Sequence, residues 1–135
     1  MRARIPVKSS PYWTPKADYK AAVYWCLRYP LWIKELATLP DTSQGIRYDK
    51  DKVQSSGDYD STAELAMRRV EIESKVSLLQ TTARLVMPEC PEFLIRGVTE
   101  EGVRVEDLIA SGMPFSKNLY LRKRQQLYHL ISKRI

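Results

Sequence analysis

Residues 61–87 read STAELAMRRVEIESKVSLLQTTARLVM, and the spacing of their apolar side chains decides the fold class. Leu65, Ile72, Leu79 and Val86 recur every seven residues, and Val76 and Ala83 follow two of them by four. That spacing lines one face of an α-helix, whereas a strand face takes every second residue. Ser61-Thr62-Ala63-Glu64 fits a capping box, with the serine accepting the N3 amide and Glu64 reaching back to the serine N–H. Met87-Pro88 ends the run, because proline lacks an amide hydrogen and disfavours the helical conformation before it. A helix over 61–87 is therefore expected. Arg69 interrupts its apolar stripe one heptad before Val76. A stripe this narrow suits either packing within the chain or a seam between copies. The expectation adopted is a homodimer seam of Leu65, Ile72, Val76, Leu79, Ala83 and Val86.

Toward the C-terminus, residues 88–135 read as three shorter helices. Pro91 suits the first position of one that carries Phe93, Leu94, Ile95 and Val98. After the turn Thr99-Glu100-Glu101-Gly102, the residues Val105, Leu108 and Ile109 line a second helix of about 104–111, with Gly112 as its stop. Ser116 is a good N-cap for the last helix, about 117–134. A short helix, a glycine-containing turn and a longer basic helix have the outline of a helix-turn-helix. On a wheel of the last helix, Leu119, Tyr120, Leu127, Leu130 and Ile131 gather on one side with Tyr128 at the edge. Asn118, Arg122, Gln125, Gln126, His129 and Lys133 lie opposite. Asparagine, arginine and glutamine make paired hydrogen bonds to base edges. Lys117, Lys123 and Arg124 flank the apolar face, where they could meet a sugar–phosphate backbone, and the Ser116 cap amides could hold a phosphate.

Toward the N-terminus, residues 40–60 form the one long polar stretch, a linker or loop without periodicity. Residues 1–39 precede it as a helical segment rich in aromatics. Thr14-Pro15 reads as N-cap and first helical residue, and Ala17, Ala21, Tyr24, Trp25 and Arg28 recur at steps of three and four. Pro30 requires a kink or a restart, with Leu31, Trp32, Ile33, Leu36 and Leu39 continuing the apolar material. The whole is expected to be all-α: a kinked N-terminal helix or helix pair, a long central helix and a C-terminal helix-turn-helix over 88–135.

Charge points to the partner. The 135 residues carry 22 Lys plus Arg against 16 Asp plus Glu, a net +6. Basic residues crowd both ends, whereas residues 87–112 lean acidic, and no acid follows Asp107. Such ends favour a polyanion, and the glutamines, asparagine and histidine of the last helix suit base edges better than lipid headgroups. Neither a membrane span nor a secretory leader is expected, and a reducing, cytoplasmic setting suits Cys26 and Cys90 as buried hydrophobes. Chemistry is thinly represented. His129 has no second histidine or nearby acid, no CxxC or phosphate-binding glycine loop occurs, and Lys50 and Lys52 interleave with Asp49, Asp51, Asp58 and Asp60. No cofactor, metal or catalytic site is expected.

Val53-Gln54-Ser55-Ser56-Gly57, Asp60-Ser61-Thr62 and Ala66-Met67-Arg68-Arg69 resemble a pattern in small phage and prophage proteins of low-GC Gram-positive bacteria. So do the Tyr29-Pro30 step and the run from Tyr120-Leu121-Arg122-Lys123-Arg124 to Leu130-Ile131-Ser132-Lys133-Arg134. These are similar to the ArpU/RinA group of late transcriptional regulators, whose C-terminal part is likened to region 4 of sigma factors. The resemblance implies binding of double-stranded DNA, with RNA polymerase as a further partner. It makes Ser116, Lys117, Asn118, Leu121 and Arg122 the opening of the recognition helix, with Arg124 and Gln125 near the backbone or groove. Met113-Pro114-Phe115 departs from that pattern by placing a proline before the cap. Two other classes fit the same residues: a DNA-packaging oligomer of the small-terminase kind, and a helical protein-interaction module.

Overall fold

A computed structural model describes Pro6, residues 8–39 and residues 56–135, with side chains from 62 onward in the last stretch. Of the polar stretch 40–60, residues 40–55, with Asp49, Asp51 and most of the Val53–Gly57 motif, lie outside the described residues, and residues 56–60 are helical, not loop. All elements described are helices: α1 (Lys16–Leu27), α2 (Tyr29–Thr38), α3 (Ser56–Val86), α4 (Pro91–Thr99), α5 (Val105–Ala110) and α6 (Lys117–Ser132). Two compact units are formed, one from Met1–Pro30 with Ser77–Ile135 and one from Leu31–Val76. Helix α3 thus gives its last turns to the first unit and the rest to the second.

The first unit is built around α6, which packs against α1, α4 and α5. Its buried line is Tyr120, Arg124, Leu127, Tyr128 and Ile131, a helical period centred nearer Tyr128 than the wheel suggests. Helix α1 answers with Tyr19, Ala22, Val23 and Cys26. The Tyr19 and Tyr128 rings meet edge to face with centroids 5.3 Å apart. The stripe expected to face inward on α1 is the other one: Ala17 and Ala21 are exposed and Tyr24 is 65% exposed. Helix α1 carries apolar residues on both sides, so its sequence does not choose between them. Leu79, Ala83, Val86, Met87, Leu94, Val98, Val105, Leu108 and Met113 complete this core with the free thiols of Cys26 and Cys90.

Local chemistry accounts for most helix ends. Proline lacks only a hydrogen that the first turn leaves unbonded, so Pro91 opens α4 and Pro30 sits in the first turn of α2, with Arg28 alone between α1 and α2. Helix α5 ends in a Schellman motif. The Gly112 amide donates to the Ile109 carbonyl at 3.0 Å and the Met113 amide to the Leu108 carbonyl at 3.1 Å, while Gly112 takes φ +108°. At the other end of α5 the Arg104 amide donates to Asp107 Oδ2 at 3.0 Å. Two expectations about caps need correcting. Helix α3 begins at Ser56, so Ser61 lies inside it instead of capping it. Thr14 caps nothing: Pro15 is the N-cap of α1, and the Thr14 hydroxyl donates to the Tyr12 carbonyl at 3.3 Å.

In the second unit α2 and α3 are joined by polar contacts. Arg68 pairs with Glu35 through Nε–Oε2 at 2.8 Å and Nη2–Oε1 at 3.4 Å. Arg69 Nη1 donates to the carbonyls of Leu36 at 3.3 Å and Leu39 at 3.2 Å, satisfying acceptors that the end of α2 leaves open. That is why an arginine interrupts the α3 stripe. The Lys75 ammonium stands 5.5 Å from the centre of the buried Trp32 ring. Of the stripe read as a homodimer seam, Ile72, Val76, Leu79, Ala83 and Val86 are buried within the chain, and Leu65, 41% exposed, lies at the surface.

Helix α4 comes close to Tyr120 of α6 at Gly97. A β-carbon there would collide with the Tyr120 hydroxyl and come within 2.9 Å of its ring and 3.1 Å of Leu108. Gly97→Ala should therefore cost about 1–3 kcal/mol by overpacking. Tyr120→Phe, which removes an unpaired buried hydroxyl, should recover part of that loss in the double variant. Urea denaturation of the two single variants and the pair measures the coupling, and simple additivity would contradict the contact.

Candidate functional site

Helix α6 is held at both ends and along one side, and these restraints fix which residues it presents. Ser116 Oγ accepts the Leu119 amide at 3.3 Å, the cap its sequence promises. Lys117 Nζ lies 3.2 Å from Glu106 Oε2 across the turn from α5. The Glu106 carboxyl is held below its usual range, first by its own backbone amide and then by Lys117. Lys117 is exposed but has this carboxylate beside it.

Beyond the cap, Asn118 and Arg122 are exposed, and Gln125 and Gln126 are half-buried. Asn118, Leu121, Arg122, Arg124 and Gln125 line a cleft of about 250 Å³. The structure therefore brings together five of the residues singled out from sequence. Leu121 is half-buried and leans on the core, and Lys123 is also half-buried. Lys133 is exposed at the far end.

Two residues stand elsewhere than the wheel puts them. Arg124 belongs to the buried line: it is 9% exposed, with Tyr120 and Tyr128 one turn to either side. Its Nε has no hydrogen-bond partner, and neither have the Tyr120 and Tyr128 hydroxyls. Burial pushes the Tyr19 and Tyr120 hydroxyls up to about 12, and raises Tyr128 also, while the Arg124 charge pulls all three the other way. Those opposing pulls place the guanidinium charge among the tyrosines. His129 falls on the outer face by periodicity, yet it is half-buried. Its Nδ1 is 3.0 Å from the Thr14 hydroxyl, and its ring centre is 6.1 Å from that of Tyr12. Burial lowers the ring's pKa, Lys133 lowers it further, and a backbone hydrogen bond with Trp13 opposes both.

The segment before α1 therefore crosses α6 at His129, leaving the outer face open in its first turns. Sequence reasoning gave no role to Tyr12 and took Thr14 for a cap. A threonine whose partner lies 115 residues away carries no local signal. Among the described residues, no cluster of His, Cys, Asp and Glu could hold a metal ion, and no helix is long and apolar enough to cross a membrane. No family model, curated protein or solved structure matches the chain.

The His129 contact has a pH signature. The folded ring holds its proton less tightly than a free histidine with its value of 6.5, so on acidification the unfolded chain protonates first. The stability tied to this contact is complete above that value and falls as pH drops through it toward the lowered folded value. Urea midpoints at about pH 7.5 and about pH 5.5 should therefore differ more in the wild type than in His129→Asn. Equal differences would show that the His129 ring does not carry this pH dependence.

Proposed function

We propose that this chain is a DNA-binding transcriptional regulator of the phage late-gene type, with α5 and α6 as its helix-turn-helix and α6 as the recognition helix. The observation that carries the reading is the row Asn118, Arg122 and Gln125. It stands on the open side of a helix whose other side is the core of its unit, and no acidic residue follows Asp107 in the sequence. Seven residues of α-helix span about 10 Å, about three base-pair steps at 3.4 Å each. Asparagine, arginine and glutamine supply paired donors and acceptors for base edges over that length. Helix α4 packs against both α5 and α6, which gives the pair a rigid back. The connection through Met113-Pro114-Phe115 is longer than the usual three to four residues. Its conformation is defined by the Gly112 turn, the buried Met113 and the Ser116 cap.

In this reading Lys123 and Lys133 meet backbone phosphates, and Asn118 and Arg122 read bases. Contact with RNA polymerase is the second step through which bound protein would activate a promoter. The test is retention of pooled genomic fragments by the purified chain at low and near-physiological salt. One discrete fragment should survive the higher salt, and Arg122→Ala should weaken its binding about ten- to hundredfold and relax the preference for it. Binding that collapses uniformly with salt, or an unchanged affinity and preference in the variant, would refute base reading by this row.

A further inference from the structure

Arg124 is an unusual residue for the middle of a buried helix face. An arginine keeps its charge in any protein environment, and burial of such a charge is costly unless an opposite charge and hydrogen bonds compensate. Among the described residues no carboxylate pairs with Arg124, and its Nε is sealed from solvent with no acceptor. The tyrosine hydroxyls above and below it are sealed and unbonded as well. Three orphaned polar atoms at positions 120, 124 and 128 form one line along α6. Of the three, Arg124 lines the 250 Å³ cleft, together with Asn118, Leu121, Arg122 and Gln125. Its rim is cationic through Arg122, and the cleft lining holds no acid.

An uncompensated guanidinium lining a cationic cleft is an anion seat. We propose that this cleft holds one phosphodiester group of bound duplex DNA, with Arg124 as the counter-charge and Asn118 and Arg122 at the rim. The inference rests on the DNA-binding reading above and adds the contact that anchors the helix. A phosphodiester suits the site because its oxygens match the planar donors of a guanidinium. Arg124 then serves affinity and Arg122 sequence preference, although the two lie two residues apart.

The experiment compares the full chain with Arg124→Met by DNA affinity across several salt concentrations and by unfolding midpoint. The variant should lose about tenfold in affinity equally for all duplex sequences, and its salt dependence should become shallower by about one counterion. Its unfolding midpoint should hold or rise, because an unpaired buried charge has been replaced by an apolar side chain of similar length. A folded variant with unchanged affinity and salt slope would overturn the seat while leaving base reading by Arg122 intact. Should Arg124→Met fail to fold, the wild-type chain decides. The NMR signal of the sealed Arg124 Nε–H should move on adding inorganic phosphate, but not chloride at the same ionic strength, and again on adding duplex DNA. A signal that moves with neither overturns the proposal. One that moves with inorganic phosphate in a chain retaining no duplex overturns the DNA reading, and with it the nucleic-acid source of the phosphate.

Discussion

The inner line of α6 is the constraint on which the first unit depends. Tyr120, Leu127, Tyr128 and Ile131 hold that helix against α1, α4 and α5, and α1 and α4 are fitted to receive it. Gly97 gives up its side chain where the Tyr120 hydroxyl approaches α4. Tyr19 turns its ring edgewise to Tyr128. The small residues Ala22 and Cys26 let α1 come close, and burial pushes the Cys26 thiol up to about 12, so it behaves as an apolar filler and not as a nucleophile. Two phenols and a guanidinium without bonded partners in such a core are a departure from ordinary practice, in which buried polar groups are paired. A hydrophobic residue at 124 would pack there at lower cost.

The outer side of α6 is divided by what crosses it. Near the C-terminal end, the residues before α1 bring Tyr12 and Thr14 onto His129. Near the N-terminal end nothing described covers Asn118 and Arg122, and here the unbonded amides and helix dipole also favour negative charge. The open portion is therefore the end of the helix that suits an anionic partner. The charges of the molecule are disposed in the same sense. Within the first unit most acids lie in α4, α5 and the turn between them, at Glu92, Glu100, Glu101, Glu106 and Asp107, whereas α6 carries none.

The second unit has a different organisation, in which polar contacts define how α2 lies on α3. Arg68 binds both oxygens of Glu35, and Arg69 closes the open carbonyls of α2. These are neighbouring residues of one helix with separate tasks on another. The exposed ion pair contributes little by itself. The Arg69 contacts carry more weight because helix-end carbonyls need donor partners and this guanidinium serves two. A sequence rule that scores residue 69 as a defect in an apolar stripe overlooks this role, because the rule considers one helix at a time.

Much of the all-α fold was legible in the chain. Seven-residue recurrence, Pro88, Pro91, Gly112 and Ser116 are local signals, since each acts on backbone groups within a turn of itself. They placed α4, α5 and α6 close to their observed bounds. Local signals failed where two answers were equally good nearby. Helix α1 could bury either of two apolar faces, and Ser61 could cap a helix that in fact starts at Ser56. The candidate site was legible at Asn118 and Arg122, whose exposure follows from periodicity. It was not legible at Arg124 and His129, because a few tens of degrees of rotation about α6 and a segment more than a hundred residues away decide their surroundings. The sequence by itself determined that the chain is built of helices, where most of them lie, and that the last one is basic and amphipathic. Tertiary structure alone decided which charge was buried, which apolar stripe was already occupied and which part of the polar face stayed open. Those outcomes depend on the partner surfaces a helix meets, and no property of the helix's own residues specifies them.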